Sequence, residues 1–183
     1  RFAGAYADLG RLAVDPRVGA STRLVTDAAG LLAALDADVP SIRLAAGTYT
    51  LDSPLVLDAP VRITADAGAV LNFALSSAPD SAWNGATGAI YVRSSHVALD
   101  GFAVRFTGTT ASWNTSSRNI VQAGLGTIDV DLSFTNLDLV APSAATAGVW
   151  EVAVLLMNFD DGDTGVIVGN ALTGGWIQLG AAP

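Results

Sequence analysis

The sequence predicts an all-β chain wound as a single-stranded right-handed parallel β-helix, a solenoid, with a short N-terminal capping α-helix. Three observations predict it. From Ile42 onward the chain is a succession of short apolar runs broken by Gly, Asp, Asn or Pro, the mark of many short strands. An apolar pattern recurs at an interval of about 35 residues, the range of repeat architectures. One segment, near the N-terminus, carries a helical period.

Residues 1–22 hold no sustained period and contain Gly4, Gly10, Pro16 and Gly19, so they read as an irregular lead-in with room for one short strand. Residues 23–183 read as the solenoid. Its capping helix is expected at about 27–38, where Thr26 or Asp27 can cap, Leu31, Leu32 and Leu35 form an apolar face, and Pro40 stops the helix. Strands follow at Ile42–Leu44, Tyr49–Leu51, Leu55–Leu57, Val61–Ile63 and Ala69–Phe73. Further strands are expected at Ile90–Val92, Val97–Leu99, Phe102–Phe106, Ile120–Gln122 and Thr127–Phe134. The last are Leu137–Val140, Val152–Met157, Val166–Val168, Leu172–Thr173 and Trp176–Leu179.

Repeats decide among sandwich, barrel and solenoid. Val97, Leu99, Phe102 and Val104 are matched by Leu132, Phe134, Leu137 and Leu139, and more weakly by Val166, Val168, Ala171 and Thr173. Between the paired positions stand Asp100-Gly101, Thr135-Asn136 and Gly169-Asn170. Two alternating strands hinged at a two-residue bend are what a β-helix makes at a corner, and Gly and Asn tolerate the left-handed backbone such a bend needs. A second repeat runs beside it. Trp83-Asn84 precedes the strand at Ile90, Trp113-Asn114 precedes that at Ile120, and Trp150 enters the strand at Val152, with Glu151 in place of the Asn. Each Trp ends a polar segment, so the three segments read as loops inserted at one corner of successive coils, lined up on one face.

Val25-Thr26-Asp27, then Leu31 to Leu35, then Ser41-Ile42-Arg43-Leu44-Ala45-Ala46-Gly47-Thr48-Tyr49-Thr50-Leu51, resembles the capping helix, first strand and Gly-Thr-Tyr turn of pectate-lyase-like parallel β-helix proteins. Pro60 to Ile63 followed by Ala69 to Leu71 is similar to their first full coil. The resemblance implies the N-terminal portion of such a fold, which hosts lyases, hydrolases, esterases, epimerases, adhesins and phage tailspikes. It implies fold more than activity. Trp176–Leu179 still reads as a coil strand, and a solenoid needs a polar cap on its last edge. The expectation is therefore that the natural chain continues, or that another chain covers this edge by end-to-end or self-association.

Composition narrows the function classes. Hydrophobic residues make up 51% and charged residues 14% of the chain, which argues against disorder. No apolar stretch reaches the ~20 residues of a membrane span, so no membrane insertion is expected. All nine basic residues are Arg, sixteen of seventeen acids are Asp, and the net charge is −8. With no basic stripe, nucleic acid is not an expected partner. Zero cysteines exclude disulfides, thiolate metal sites and Cys nucleophiles, and the single histidine, His96, excludes any multi-His site.

Two sets of candidate site residues remain. Trp83, Trp113 and Trp150, with Asn84 and Asn114, are candidate substrate-binding residues. Flat aromatic faces stack on pyranose rings and the amides bond hydroxyls, unless the indoles only pin long loops to the wall. Asp160, Asp161 and Asp163 are a candidate Ca²⁺ site, a hard cation served by oxygen ligands, or a solvated acidic turn. Asp160 and Asp161 are also weak candidates for acid and base in glycoside hydrolysis. The resemblance implies lyase chemistry by an Arg, but the motifs that would carry it are missing; Arg93 or Arg105 paired with Asp100 in the wall is the expected arrangement. His96 is expected on the surface at a coil corner, and Asn114-Thr115-Ser116 fits a glycosylation sequon. The functional expectation is a secreted or cell-surface protein that binds or acts on polysaccharide along the Trp-bearing face, a lyase or hydrolase if it is an enzyme, with a non-catalytic structural solenoid as the alternative.

Overall fold

The computed structural model describes residues 21–74, 88–107, 119–123, 132–140, 153–159, 165–173 and 176–181. They form one helix and sixteen strands. Strand β1 (Arg23–Val25) leads into helix α1 (Ala28–Asp36). Strands β2 (Ser41–Leu44), β3 (Gly47–Leu51), β4 (Leu55–Leu57), β5 (Val61–Ala65) and β6 (Ala69–Ala74) follow. Next come β7 (Gly88–Val92), β8 (Val97–Asp100), β9 (Ala103–Thr107), β10 (Asn119–Ala123) and β11 (Leu132–Thr135). The last are β12 (Asp138–Val140), β13 (Ala153–Phe159), β14 (Gly165–Val168), β15 (Ala171–Thr173) and β16 (Trp176–Ala181).

The strands form three parallel sheets, and the chain visits them in rotation. Sheet A has the order β1-β2-β5-β8-β11-β14, sheet B β3-β6-β9-β12-β15, and sheet C β4-β7-β10-β13-β16. From β2 onward each circuit of the chain contributes one strand to every sheet, so neighbours in a sheet are three strands apart in sequence. Only a repeating sequence can do this, because each apolar side chain must meet its counterpart one circuit later.

The registers show those meetings. In sheet A, Ile42, Ile63, Leu99, Phe134 and Ile167 stand in one row. In sheet B the row is Tyr49, Leu71, Val104, Leu139 and Leu172. In sheet C it is Leu55, Ile90, Val121, Leu155 and Ile177. All but the last-circuit members and Leu155, whose side chain is outside the description, are buried. Full burial of such a side chain is worth about 1.5–3 kcal/mol, so the rows dominate the favourable side of the energetics.

Helix α1 closes the first circuit. Asp27 is the N-cap, its Oδ1 accepting from the Gly30 N–H at 2.7 Å. Leu31 and Ala34 are buried, and Ala28 and Leu35 pack against the core. The helix ends before Pro40: Asp38 takes φ 50°, and the N–H groups of Asp38 and Val39 donate back to Leu35 O and Ala34 O at 2.9 and 3.0 Å. This is the Schellman arrangement, and Asp suits its left-handed position better than most residues. The apolar face therefore differs from the expected one, because Leu32 is 40% exposed and Ala34 takes the inner position.

Two further expectations are corrected. The third copy of the repeat is out of phase: Val166 and Val168 are 51% and 61% exposed, while Ile167 and Leu172 pack on the core. Register pairs Ile167 with Phe134 and Leu172 with Leu139. The interval here is one residue shorter than the pattern suggested, and in a period-2 strand one residue moves every side chain to the other face. The corner itself stays in line. Gly101 (φ 82°), Asn136 (φ 52°) and Gly169 (φ 71°) all adopt the left-handed backbone, and an added Cβ at Gly169 would lie 2.6 Å from Asn136 Oδ1.

The ion pairs are also redrawn. Arg93 Nε lies 3.3 Å from Asp58 Oδ1 and Arg105 pairs with Asp138, so neither takes Asp100. The Asp100 carboxylate instead accepts from Thr135 Oγ1 at 2.7 Å and Asn136 Nδ2 at 2.8 Å. One circuit later Asn170 does similar work, donating to Phe134 O and accepting from Leu137 N–H, both at 2.9 Å. Side-chain amides and carboxylates thus satisfy the backbone and its neighbours where the ladder is interrupted.

Candidate functional site

The eight site residues read from the sequence, Trp83, Asn84, Trp113, Asn114, Trp150, Asp160, Asp161 and Asp163, lie outside the described residues, as do Arg118 and the sequon at Asn114. The strands on either side of them are described, and these fix which corner of the fold each segment joins. Segment 75–87 carries Trp83 from β6 to β7, segment 108–118 carries Trp113 from β9 to β10, and segment 141–152 carries Trp150 from β12 to β13. All three leave sheet B and enter sheet C, in three successive circuits. The circuits before and after lack the insertion: residues 52–54 alone join β3 to β4, and residues 174–175 alone join β15 to β16. Connectivity thus joins the three Trp-bearing segments to the same two sheets in consecutive circuits.

The acidic segment belongs elsewhere. Residues 160–164 join β13 of sheet C to β14 of sheet A. Trp150 precedes β13 and Asp160 follows it. At ~3.3 Å per residue a strand of this length spans roughly 20 Å, and the segments of Trp150 and Asp160 join β13 at its opposite ends. Among the described residues no group of three or more His, Asp or Glu could hold a metal ion.

Sheet C carries the surface between these corners. A second row of sheet C runs Val56, Tyr91, Gln122, Leu156 and Gln178 in register. Val56 is exposed and Tyr91 half-buried, whereas Gln122 is only 2% exposed, and Ala89 and Ile120 beside this row are fully buried. Both faces of β10 are thus buried. The Arg93 guanidinium sits 5.9 Å from the Tyr91 ring centroid, a cation–π distance, and its backbone N–H donates to Leu57 O at 2.9 Å. With Asp58 alongside, this arginine is engaged twice. Sequence reading missed the Tyr91–Arg93 contact, although Tyr91 and Arg93 two apart across Val92 place both outside the core.

A hollow of about 80 Å³ opens between the end of α1 and the β4–β5 corner, lined in part by Asp36, Asp38, Asp58 and Val56. Ligand pockets are commonly ~300–1,000 Å³, so this one is too small for a sugar ring. His96 lies at the expected corner, before β8, with φ 59°, and is half-buried where a surface position was expected. Among the described residues the one buried titratable group is Tyr49, whose hydroxyl donates to Val25 O at 2.8 Å and Ala45 O at 3.0 Å. Burial raises its pKa above the ordinary tyrosine value, helped by Asp27 and Asp66 and opposed by the Ala45 bond. Its position between β1 and the β2–β3 corner makes it a structural tie.

Among the described residues no helix is long and apolar enough to cross a membrane. No family model, curated protein or solved structure matches the chain.

Proposed function

We propose that the chain winds as a right-handed parallel β-helix of the pectate-lyase-like kind and binds polysaccharide along the corner between sheets B and C, outside the cell or at its surface. Three parallel sheets visited in rotation support the winding, and parallel crossovers are right-handed in ≈ 98% of cases. One observation carries the functional reading: three Trp-bearing insertions occupy the same corner of three successive circuits and are missing from the circuits on either side. Stacked strands are ~4.8 Å apart, and indoles repeated once per circuit would suit successive rings of an extended glycan. The burial of Ala89, Ile120 and Gln122 leaves the corner, more than the flat of sheet C, as the place for that ligand.

Binding is favoured over hydrolysis. Asp160 and Asp161 belong to the segment that follows β13, whereas Trp150 belongs to the segment that precedes it, and a carboxylate pair acts only when it flanks the scissile bond. A glycan array probed with and without Ca²⁺ tests the reading. Each of Trp83→Ala and Trp113→Ala is expected to weaken binding about tenfold, the loss of ~1.4 kcal/mol of stacking. Unchanged binding in both variants would refute the placement.

A second reading, a non-catalytic scaffold that associates through its ends, draws on one observation. Ile167 and Leu172 of the last circuit are only partly buried, and Val166, Val168 and Ile177 are exposed. Sedimentation that gives a concentration-independent monomer would remove it.

A further inference from the structure

We infer that two copies of this chain associate tail to tail, the circuit of β14, β15 and β16 in one against the same circuit in the other, as a closed two-fold dimer. The inference rests on the reading that the chain associates through its ends, and deepens it by naming the partner and the symmetry. Its basis is the difference between the two ends of the stack.

The first end is covered and charged. Helix α1 lies against β1, β2 and β3, and sends Leu31 and Ala34 into the core. The short edge strand β1 bears Arg23, and α1 with its flanks bears Asp27, Asp36 and Asp38, all exposed. A covering helix and charges on the rim are the means by which proteins keep a sheet edge from pairing.

The other end has neither. Among the described strands β14, β15 and β16 each have a ladder partner on one side only. The three inner rows end there at Ile167, Leu172 and Ile177. Ile167 and Leu172 are only partly buried and Ile177 is exposed, although Phe134 and Leu139, one circuit earlier, are fully buried. Val166 and Val168 add exposed apolar surface on the same edge. No residue of these three strands is charged, and the sequence has no Asp, Glu, Lys or Arg after Asp163. In a chain of net charge −8, this is a surface on which two identical copies can meet without bringing like charges together. That condition favours a second copy as the occupant.

Winding sets the symmetry. Two like ends placed face to face wind in opposite senses about their common axis, so their edge strands run antiparallel, a pairing slightly more stable per residue than the parallel one. A contact that uses the same surface on both copies is isologous and stops at two. Head-to-tail stacking would propagate into a filament, but it needs an open first end, and α1 occupies that end.

The test is sedimentation equilibrium of the 183-residue chain, joined to cross-linking of single-cysteine variants, which the absence of native cysteine makes unambiguous. A monomer–dimer equilibrium with no larger species is expected. A bismaleimide should link Ala171→Cys, exposed on β15, into a dimer and leave Leu24→Cys, exposed on β1, as monomer. Val166→Lys with Val168→Lys, both at exposed positions, puts charges on each facing edge and should raise the dissociation constant at least about tenfold, with circular dichroism unchanged. Species larger than a dimer, or a dimer linked through Leu24→Cys, overturn the tail-to-tail arrangement while association through the ends survives. A monomer at every concentration, or a dimer that the double lysine variant leaves unchanged, removes both.

Discussion

At the scale of single residues, Tyr49 shows how one polar atom can be both buried and useful. Its ring lies in the inner row of sheet B, while its hydroxyl reaches two carbonyls, Val25 O and Ala45 O. Tyr49→Phe keeps the ring and deletes both bonds, and should cost about 1–2 kcal/mol in urea unfolding. The same group governs alkaline behaviour. The chain has no Lys or Cys, and tyrosine is the remaining side-chain type that ordinarily loses its proton between about pH 8 and pH 12. Because burial raises the folded pKa of Tyr49, the folded chain holds that proton more tightly than the unfolded chain. Its contribution is complete below about pH 10 and fades as pH rises through the folded value. Stability measured upward from about pH 10 should therefore fall in the wild type and fall less in Tyr49→Phe; parallel curves would refute the assignment.

At the scale of elements, α1 separates what local chemistry specifies from what packing specifies. Asp27→Ala removes the bond to the Gly30 N–H and should cost about 1 kcal/mol. Leu31→Ala should cost about 2–5 kcal/mol because Leu31 is fully buried, whereas Leu32→Gln should stay within about 0.5 kcal/mol. Thermal unfolding of the three variants checks the order, and equal losses at Leu31 and Leu32 would contradict the observed face. The contrast also shows what was legible beforehand. Strands β2 to β10 fell where alternation and turn residues put them, because period-2 burial is written directly into runs such as Leu55–Leu57 and Val97–Leu99. Strand β1 was missed, since Arg23-Leu24-Val25 has one buried residue and no alternation to read. The face of α1 was misread because Ala34 is small and Leu32 large, while burial follows geometry. The ion pairs were misassigned because Arg105 and Asp138 meet across adjacent circuits, a relation that depends on an exact register. For the candidate site, the Trp repeat was legible in the sequence, but that each Trp segment joins sheet B to sheet C, and the Asp160 segment sheet C to sheet A, emerged only when each strand was given its sheet.

At the scale of the whole molecule, stability depends on position along the stack, since each circuit is sealed only by those above and below it. Phe134 and Ile167 occupy the same row of sheet A. Phe134 has a strand on each side, β8 and β11's other neighbour β14, and is fully buried. Ile167 belongs to β14, which among the described strands has a partner on one side only, and is partly buried. Truncating Phe134 to Ala opens a void that neighbouring circuits cannot fill without breaking register, so the loss should be about 3–5 kcal/mol. Truncating Ile167 to Ala removes apolar area that is already partly wet, and the loss should be smaller, about 1–2 kcal/mol. Hydrogen exchange extends the argument beyond the total. In a stack with nearest-neighbour coupling, Ile167→Ala should speed exchange in β14 to β16 while β2 to β6 keep wild-type protection, and Phe134→Ala should lower protection on both sides of its circuit. Uniform loss of protection in both variants would mean that the three sheets unfold as one unit, and that the circuits are not separable layers.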